Sequence, residues 1–119
     1  MITRGDPADE ALVASVLRKQ KPDAFLCGND HTAALLMQSL LNLGIKVPEE
    51  VRIVGMDDVK YASLLPIPLT TQHQPCLDIG IIAMNTMLDR LQNPGLPVRE
   101  ITLSCRLVIR KSCGKEKGS

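Results

Sequence analysis

Aromatic side chains are nearly missing from this 119-residue chain: Phe25 and Tyr61 are the only two, and there is no tryptophan. Its core must therefore be built from Leu, Ile, Val, Met and Ala. Charge of one sign is missing as well. The formal net charge of +1 gives no electrostatic footprint for nucleic acid. A short basic cluster, Arg106, Arg110, Lys111, Lys115 and Lys117, reads as a solvated strand end and tail. No apolar run approaches the roughly 20 residues that span a bilayer. Met1 is followed by a polar, charged stretch rather than by a signal peptide. The expectation is a soluble, cytoplasmic protein. Cys27, Cys76, Cys105 and Cys113 form no C-x-x-C pair and match no zinc spacing. Three of the four lie in or beside apolar runs, where cysteine acts as a small buried hydrophobe, so reduced structural thiols are expected.

What is present is a composition of 45% hydrophobic and 23% charged residues, close to the soluble globular average and suited to one domain with a modest core. The elements alternate. Asp6-Pro7 reads as an N-cap followed by proline at the first helical position, and Leu12, Val13, Val16 and Leu17 recur at helical spacing. Pro22 ends that helix, and Asp23 to Cys27 is a strand of the buried parallel type. Asp30 is placed to cap a second helix that runs to Leu43, with Gly44 in the stop position. That helix carries two apolar stripes, Ala33, Leu36, Met37 and Leu40 on one side and Ala34, Leu35 and Leu41 on another, so it is expected to be buried twice. Val51 to Gly55 is a strand, Val59 to Leu65 a short helix, and Leu69 to Gln72 a third strand. Gln74-Pro75 opens a third helix in which Leu77, Ile81, Met84, Leu88 and Leu91 step by four, three, four and three. Strands at Val98 to Leu103 and Arg106 to Arg110 complete the pattern. Such an α/β order predicts a mainly parallel sheet with helices on both faces. Ligands of such sheets bind beyond the carboxyl ends of the strands, which points to Asn29-Asp30, Asp57-Asp58 and the segment Thr71 to Gln74.

The ordered series Pro22-Asp23-Ala24-Phe25, Gly28-Asn29-Asp30, Leu43-Gly44-Ile45-x-Val47-Pro48-Glu49-x-Val51, Ile53-Val54-Gly55-Met56-Asp57-Asp58, Pro68-Leu69-Thr70-Thr71, Gln74-Pro75 and Arg106-Leu107-Val108-x-Arg110-x-Ser112 resembles the C-terminal part of lactose, galactose and purine repressor-type regulators. The resemblance covers about residues 22 to 113. It implies a type I periplasmic-binding-protein-like sensor, in which two α/β subdomains are joined by three crossing strands and the effector sits between them. Carried over by position, Asn29 and Asp57 are polar effector contacts and Gln74 is a crossover residue at the cleft edge. Residues 1–73 and 105–113 then belong to the C-terminal subdomain. The helix and strand of 75–104 belong to the N-terminal one, and 114–119 form a disordered tail. A helix-turn-helix, a hinge helix, an N-terminal subdomain sheet and the early segment that often gives the ligand an Arg have no counterpart here. The expectation is a partial effector-binding domain.

Each candidate also has a plainer reading. Asp57 and Asp58 follow a strand and are able to cap the next helix, and of the two Asp57 is the stronger ligand candidate. Asp30 reads as a cap. His31 and His73 lie near aspartates but in no metal motif, and they read as surface histidines. Ser63 lacks a G-x-S-x-G elbow, and Cys76 has His73 nearby but no oxyanion site. The expected function is effector sensing within a transcription repressor, with no enzymatic activity, no cofactor and no metal. Its partners are a small polar effector such as a sugar or nucleoside, and a second copy met through Ala34, Leu35 and Leu41 with the loop from Tyr61 to Pro68 beside them. Further self-association runs through the stripe of the third helix, DNA is reached only through an absent helix-turn-helix, and no membrane is involved. The alternative is a periplasmic-type sugar-binding protein of a transport system.

Overall fold

The computed structural model describes residues 1–115. Along the chain run α1 (Glu10–Gln20), β1 (Ala24–Leu26), α2 (Asp30–Asn42), β2 (Arg52–Asp57), a 3-10 turn (Lys60–Ser63), β3 (Thr70–His73), α3 (Cys76–Gln92) and β4 (Arg106–Val108). The four strands form one sheet in the order β1-β2-β3-β4. Pairing of β1 with β2 and of β2 with β3 is parallel, and β4 returns antiparallel to β3. This is the mainly parallel α/β sheet flanked by helices that the alternation of elements predicts.

Local chemistry sets the helix ends. The side chain of Asp9, not Asp6, caps α1 by accepting from the N–H groups of Ala11 and Leu12. Asp6 instead holds the preceding turn through Ala8. Gly44, at φ +76°, ends α2 in the left-handed conformation that glycine adopts at little cost. α2 turns Ala33, Leu36, Met37 and Leu40 onto β2, where they meet Val51, Ile53 and Leu69 in the core. α1 packs against α2 and adds Val13. The second stripe of α2, with Ala34, Leu35 and Leu41, is only half-buried.

The returning C-terminal segment is stitched into the sheet by Ser112, which is fully buried. Its hydroxyl donates to the Ile53 carbonyl at 2.6 Å and accepts from Thr70 N–H at 2.8 Å. Its carbonyl accepts from Ile53 N–H at 2.9 Å. Ser112 thus fills the gap between β2 and β3 before their own ladder begins. Removing such a hydroxyl strands buried partners at roughly 1–3 kcal/mol.

Three expectations fail here. The segment from Val98 to Leu103 forms no strand, because no neighbouring strand among the described residues is there to pair with it. The expected cover of helices on both faces is not complete, since α3 contributes no buried residue. Cys76 and Cys105 are exposed and only Cys27 is buried, so three buried thiols are not found. The stripe of α3 stands in solvent, with Leu77 78%, Met84 60% and Leu91 70% exposed. The radius of gyration is 18.5 Å, against about 13.5 Å for a compact chain of this length. Of the tail expected at 114–119, residues 116–119 lie outside the described residues, while Gly114 closes a turn onto the Lys111 carbonyl.

Candidate functional site

The carboxyl ends of β1, β2 and β3 lie side by side, so the turns that leave them share one edge of the sheet. Asn29, Asp57 and Gln74 all fall on this edge. Gln74 and Asp57 meet directly: the Gln74 side-chain amide donates to Asp57 Oδ1 at 2.7 Å. Both residues are half-buried. Asn29 is exposed, and its side-chain oxygen caps α2 by accepting from Thr32 N–H at 2.8 Å. Its Nδ2 group is what it can offer outward.

Asp30, the residue expected to cap α2, has a different task. It is fully buried at the first turn of the helix. One carboxylate oxygen accepts from the Thr71 hydroxyl at 2.6 Å, and the other from Val59 N–H at 3.0 Å. The same Thr71 hydroxyl receives Asp58 N–H at 3.4 Å. Asp30 therefore ties α2 to β3 and to the turn that follows Asp57 and Asp58. The positive end of the helix dipole favours a carboxylate in this position. Its close approach needs Gly55. A Cβ there would collide with the Asp30 carboxylate and lie 3.0 Å from Leu69 Cδ2. The sequence did carry a trace of this arrangement, in a glycine interrupting the apolar run of β2 and in the Thr70-Thr71 pair on β3.

Asp57 and Asp58 both have positive φ, 116° and 59°. Non-glycine residues adopt such values at a cost of order 1–3 kcal/mol each, and aspartate tolerates them better than most. The strained turn aims the two carboxylates at consecutive residues of the next strand's end. Asp57 receives Gln74, and Asp58 Oδ2 lies 2.9 Å from His73 Nδ1. Arg110 Nη2 donates to the other Asp58 oxygen at 2.8 Å, and Arg110 Nη1 donates to the Leu69 carbonyl at 2.9 Å. Neither aspartate caps the 3-10 turn, whose first position is Val59 without a side-chain cap. Partial burial pushes the Asp58 carboxyl up. The hydrogen bonds and charges of Arg110 and His73 together outweigh that and hold it below the usual carboxylate range. Burial, helped by the nearby Asp30, pushes the Cys27 thiol up to about 11, so it stays protonated and unreactive at neutral pH.

Among the described residues, no group of three His, Cys, Asp or Glu side chains could hold a metal ion. No helix among them is long and apolar enough to cross a membrane. A cleft of about 750 Å³ lies between the N-terminal segment, α1 and the open side of β1, lined by Ile2, Leu12, Phe25 and Leu26 and reaching Gly28 and Thr32 on either side of Asn29.

With this geometry in hand, comparison with known proteins is direct. The periplasmic binding protein-like domain family matches residues 2–113. The HTH-type transcriptional repressor PurR of Photobacterium profundum is 32% identical over 107 residues, which cover 90% of this chain and 32% of that protein. The ribose operon repressor of Escherichia coli K12 is 34% identical over 92 residues, 77% of this chain and 28% of the repressor. Among solved structures, a LacI-family regulator of Lactobacillus casei with bound TRIS superposes with a TM-score of 0.72 at 33% identity, over 90% of this chain and 40% of that one. A LacI-family regulator of Enterococcus faecium with bound ribose gives 0.76 at 28% identity, over 87% and 38%. The chain belongs to the periplasmic binding protein-like domain family, in the form found in LacI-type transcription regulators. It spans about a third of the length of the curated relatives it matches.

The depressed carboxyl of Asp58 sets a sign for acid stability. A carboxyl whose folded value lies below the unfolded one, about 3.9, stabilises fully above that value. The contribution is then lost as pH falls through the folded value. Urea midpoints between pH 5 and pH 2 should therefore fall more steeply for the wild type than for Asp58→Asn, and the two curves should converge in acid. Parallel curves would show that Arg110 and His73 do not favour the charged form.

Proposed function

We propose that this chain is the effector-sensing and dimerisation module of a LacI-type transcriptional repressor, with DNA contacted by a helix-turn-helix outside these 119 residues. The observation that carries the proposal is the Asp57–Gln74 pair at the carboxyl edge of a sheet whose relatives are repressors. Asp57 Oδ1 is engaged by Gln74, and the second carboxylate oxygen is available to accept from a sugar or ribose hydroxyl. Asn29 supplies a donor on the same edge. The regulators of L. casei and E. faecium were solved with sucrose, glucose or ribose bound, which favours a sugar or nucleoside as effector here. Curated relatives that are repressors weigh against the transport-protein alternative. The module binds and does not turn its ligand over, and its action on DNA assigns it to the cytoplasm.

Residues 75–104 belong, in this reading, to the N-terminal subdomain, while 1–73 and 105–113 form the C-terminal one. That division explains why α3 buries nothing against the sheet. The effector then sits between the two parts and acts through its differential affinity for their two relative orientations. Dimerisation runs through the half-buried face of α2 formed by Ala34, Leu35 and Leu41. Tyr61 and Leu64 are exposed in the neighbouring loop, Leu64 at 80%.

Two measurements test these statements. In a protein containing both subdomains, calorimetry against monosaccharides and nucleosides identifies the effector. A charge-assisted hydrogen bond contributes roughly 1.5–3 kcal/mol, so Asp57→Ala should weaken that binding about ten- to a hundredfold or more. Unchanged affinity removes Asp57 from the site. In the 119-residue chain, Leu77, Ile81, Met84, Leu88 and Leu91 are between 49% and 78% exposed. Burying five such side chains from full exposure is worth roughly 7–15 kcal/mol, and covering what is still exposed recovers about half of that or more. The isolated chain should therefore self-associate through α3. Light scattering should show the Met84→Glu, Leu88→Glu double variant at lower mass, and an unchanged mass with an unchanged folded spectrum contradicts association through this helix.

A further inference from the structure

The chain leaves the sheet after His73, forms α3 and the irregular stretch that follows, and returns at Arg106. Both ends of this excursion are gripped by one side chain. Asp58 takes His73 on the outgoing side at 2.9 Å and Arg110 on the returning side at 2.8 Å. Its own backbone is bent into the left-handed region at φ 59°, and its N–H is directed at Thr71. The Asp58 carboxylate is largely buried, with 15% of the side chain exposed, whereas His73 is 40% exposed and open to exchange with solvent. The residue before Asp58 and the residue after His73 are the two that meet as Asp57 and Gln74. Two consecutive acidic residues thus face two consecutive residues of the crossover.

We infer that Asp58 is a positioning residue for the candidate site, clamping His73 and Arg110 so that Gln74 is held against Asp57, and that this contact follows the charge of His73. The inference rests on the reading of Asp57 and Gln74 as effector contacts, but its test requires no effector. Against an ionised carboxylate, His73 Nδ1 carries the proton and donates. Protonation of the ring adds a full charge to that hydrogen bond and strengthens it. Asp58 stays ionised throughout, because its partners hold its carboxyl below the usual range. The charged groups facing His73 are Asp57, its register partner on β2, Asp58, Arg110 beyond Asp58, and Arg106, its register partner on β4. Among the described residues, the hydrogen bond to the ring comes from Asp58.

Nuclear magnetic resonance of the 119-residue chain between pH 5 and pH 8 tests the clamp. The probes are the Gln74 side-chain amide protons, the Asp57 carboxylate carbon and the His73 ring. In the wild type, the Gln74 and Asp57 signals should move with the same midpoint as the His73 ring, the bonded Gln74 proton going downfield as the ring charges. In Asp58→Asn, the ring should still titrate while the other two signals stay flat, with the Ile53 and Thr70 amides unshifted to show an intact sheet. If that variant does not fold, His73→Gln serves in its place, and the Asp57 carbon should then lose its inflection. Gln74 and Asp57 signals that ignore pH in the wild type overturn the inference. So does an unchanged inflection in either variant.

Discussion

The carboxyl edge of this sheet depends on one buried carboxylate. Asp30 receives the Thr71 hydroxyl from β3 and Val59 N–H from the turn after β2, while its own backbone opens α2. Every candidate site residue is within a few positions of one of these anchors. Asn29 precedes Asp30, Asp57 and Asp58 precede Val59, and Gln74 follows Thr71 by three residues. Rigid elements position polar groups better than loops do when second-tier hydrogen bonds lock them. Here that locking is done by a fully buried carboxylate, in a space kept open because Gly55 has no side chain.

The opposite end of the sheet is closed differently. Ser112 is inserted there between β2 and β3, and Arg110 of the same returning segment bonds the Leu69 carbonyl before β3 and reaches back to Asp58 on the carboxyl edge. The C-terminal segment is thus an integral part of the sheet although β4 itself is only three residues long. Between β3 and β4 the chain runs out through α3, which buries no residue.

Most of the fold was legible in the sequence because periodicity and punctuation agreed. The stripe Ala33, Leu36, Met37 and Leu40 and the stop at Gly44 located α2, and the three parallel strands were found within a residue or two. Misreadings arose where a local signal had two equivalent bearers. Asp6 and Asp9 are both good caps, and in the fold Asp9 caps α1 while Asp6 holds the turn before it. Asn29 and Asp30 are likewise both cap residues. Only the tertiary structure, with Thr71 brought from forty-one residues away, sends Asp30 inward. Val98 to Leu103 has a strand's composition, but a strand exists only with a partner, and composition does not supply one. The edge carrying Asn29, Asp57 and Gln74 followed from the general rule for parallel sheets. The links of Asp58 to His73 and Arg110 did not, because they join segments fifteen and fifty-two residues apart.

Hydrogen exchange at the Val59 amide tests the role of Asp30 most directly. In Asp30→Ala, Val59 N–H and the Thr71 hydroxyl lose their acceptor, at a combined cost of about 3 kcal/mol. The account predicts that Val59 protection collapses, together with that of Asp58, while the Leu36 to Leu40 amides within α2 fall only by the global loss of stability. Wild-type protection at Val59 in a folded Asp30→Ala chain would contradict it, and would mean that the carboxyl edge is held by the strands alone.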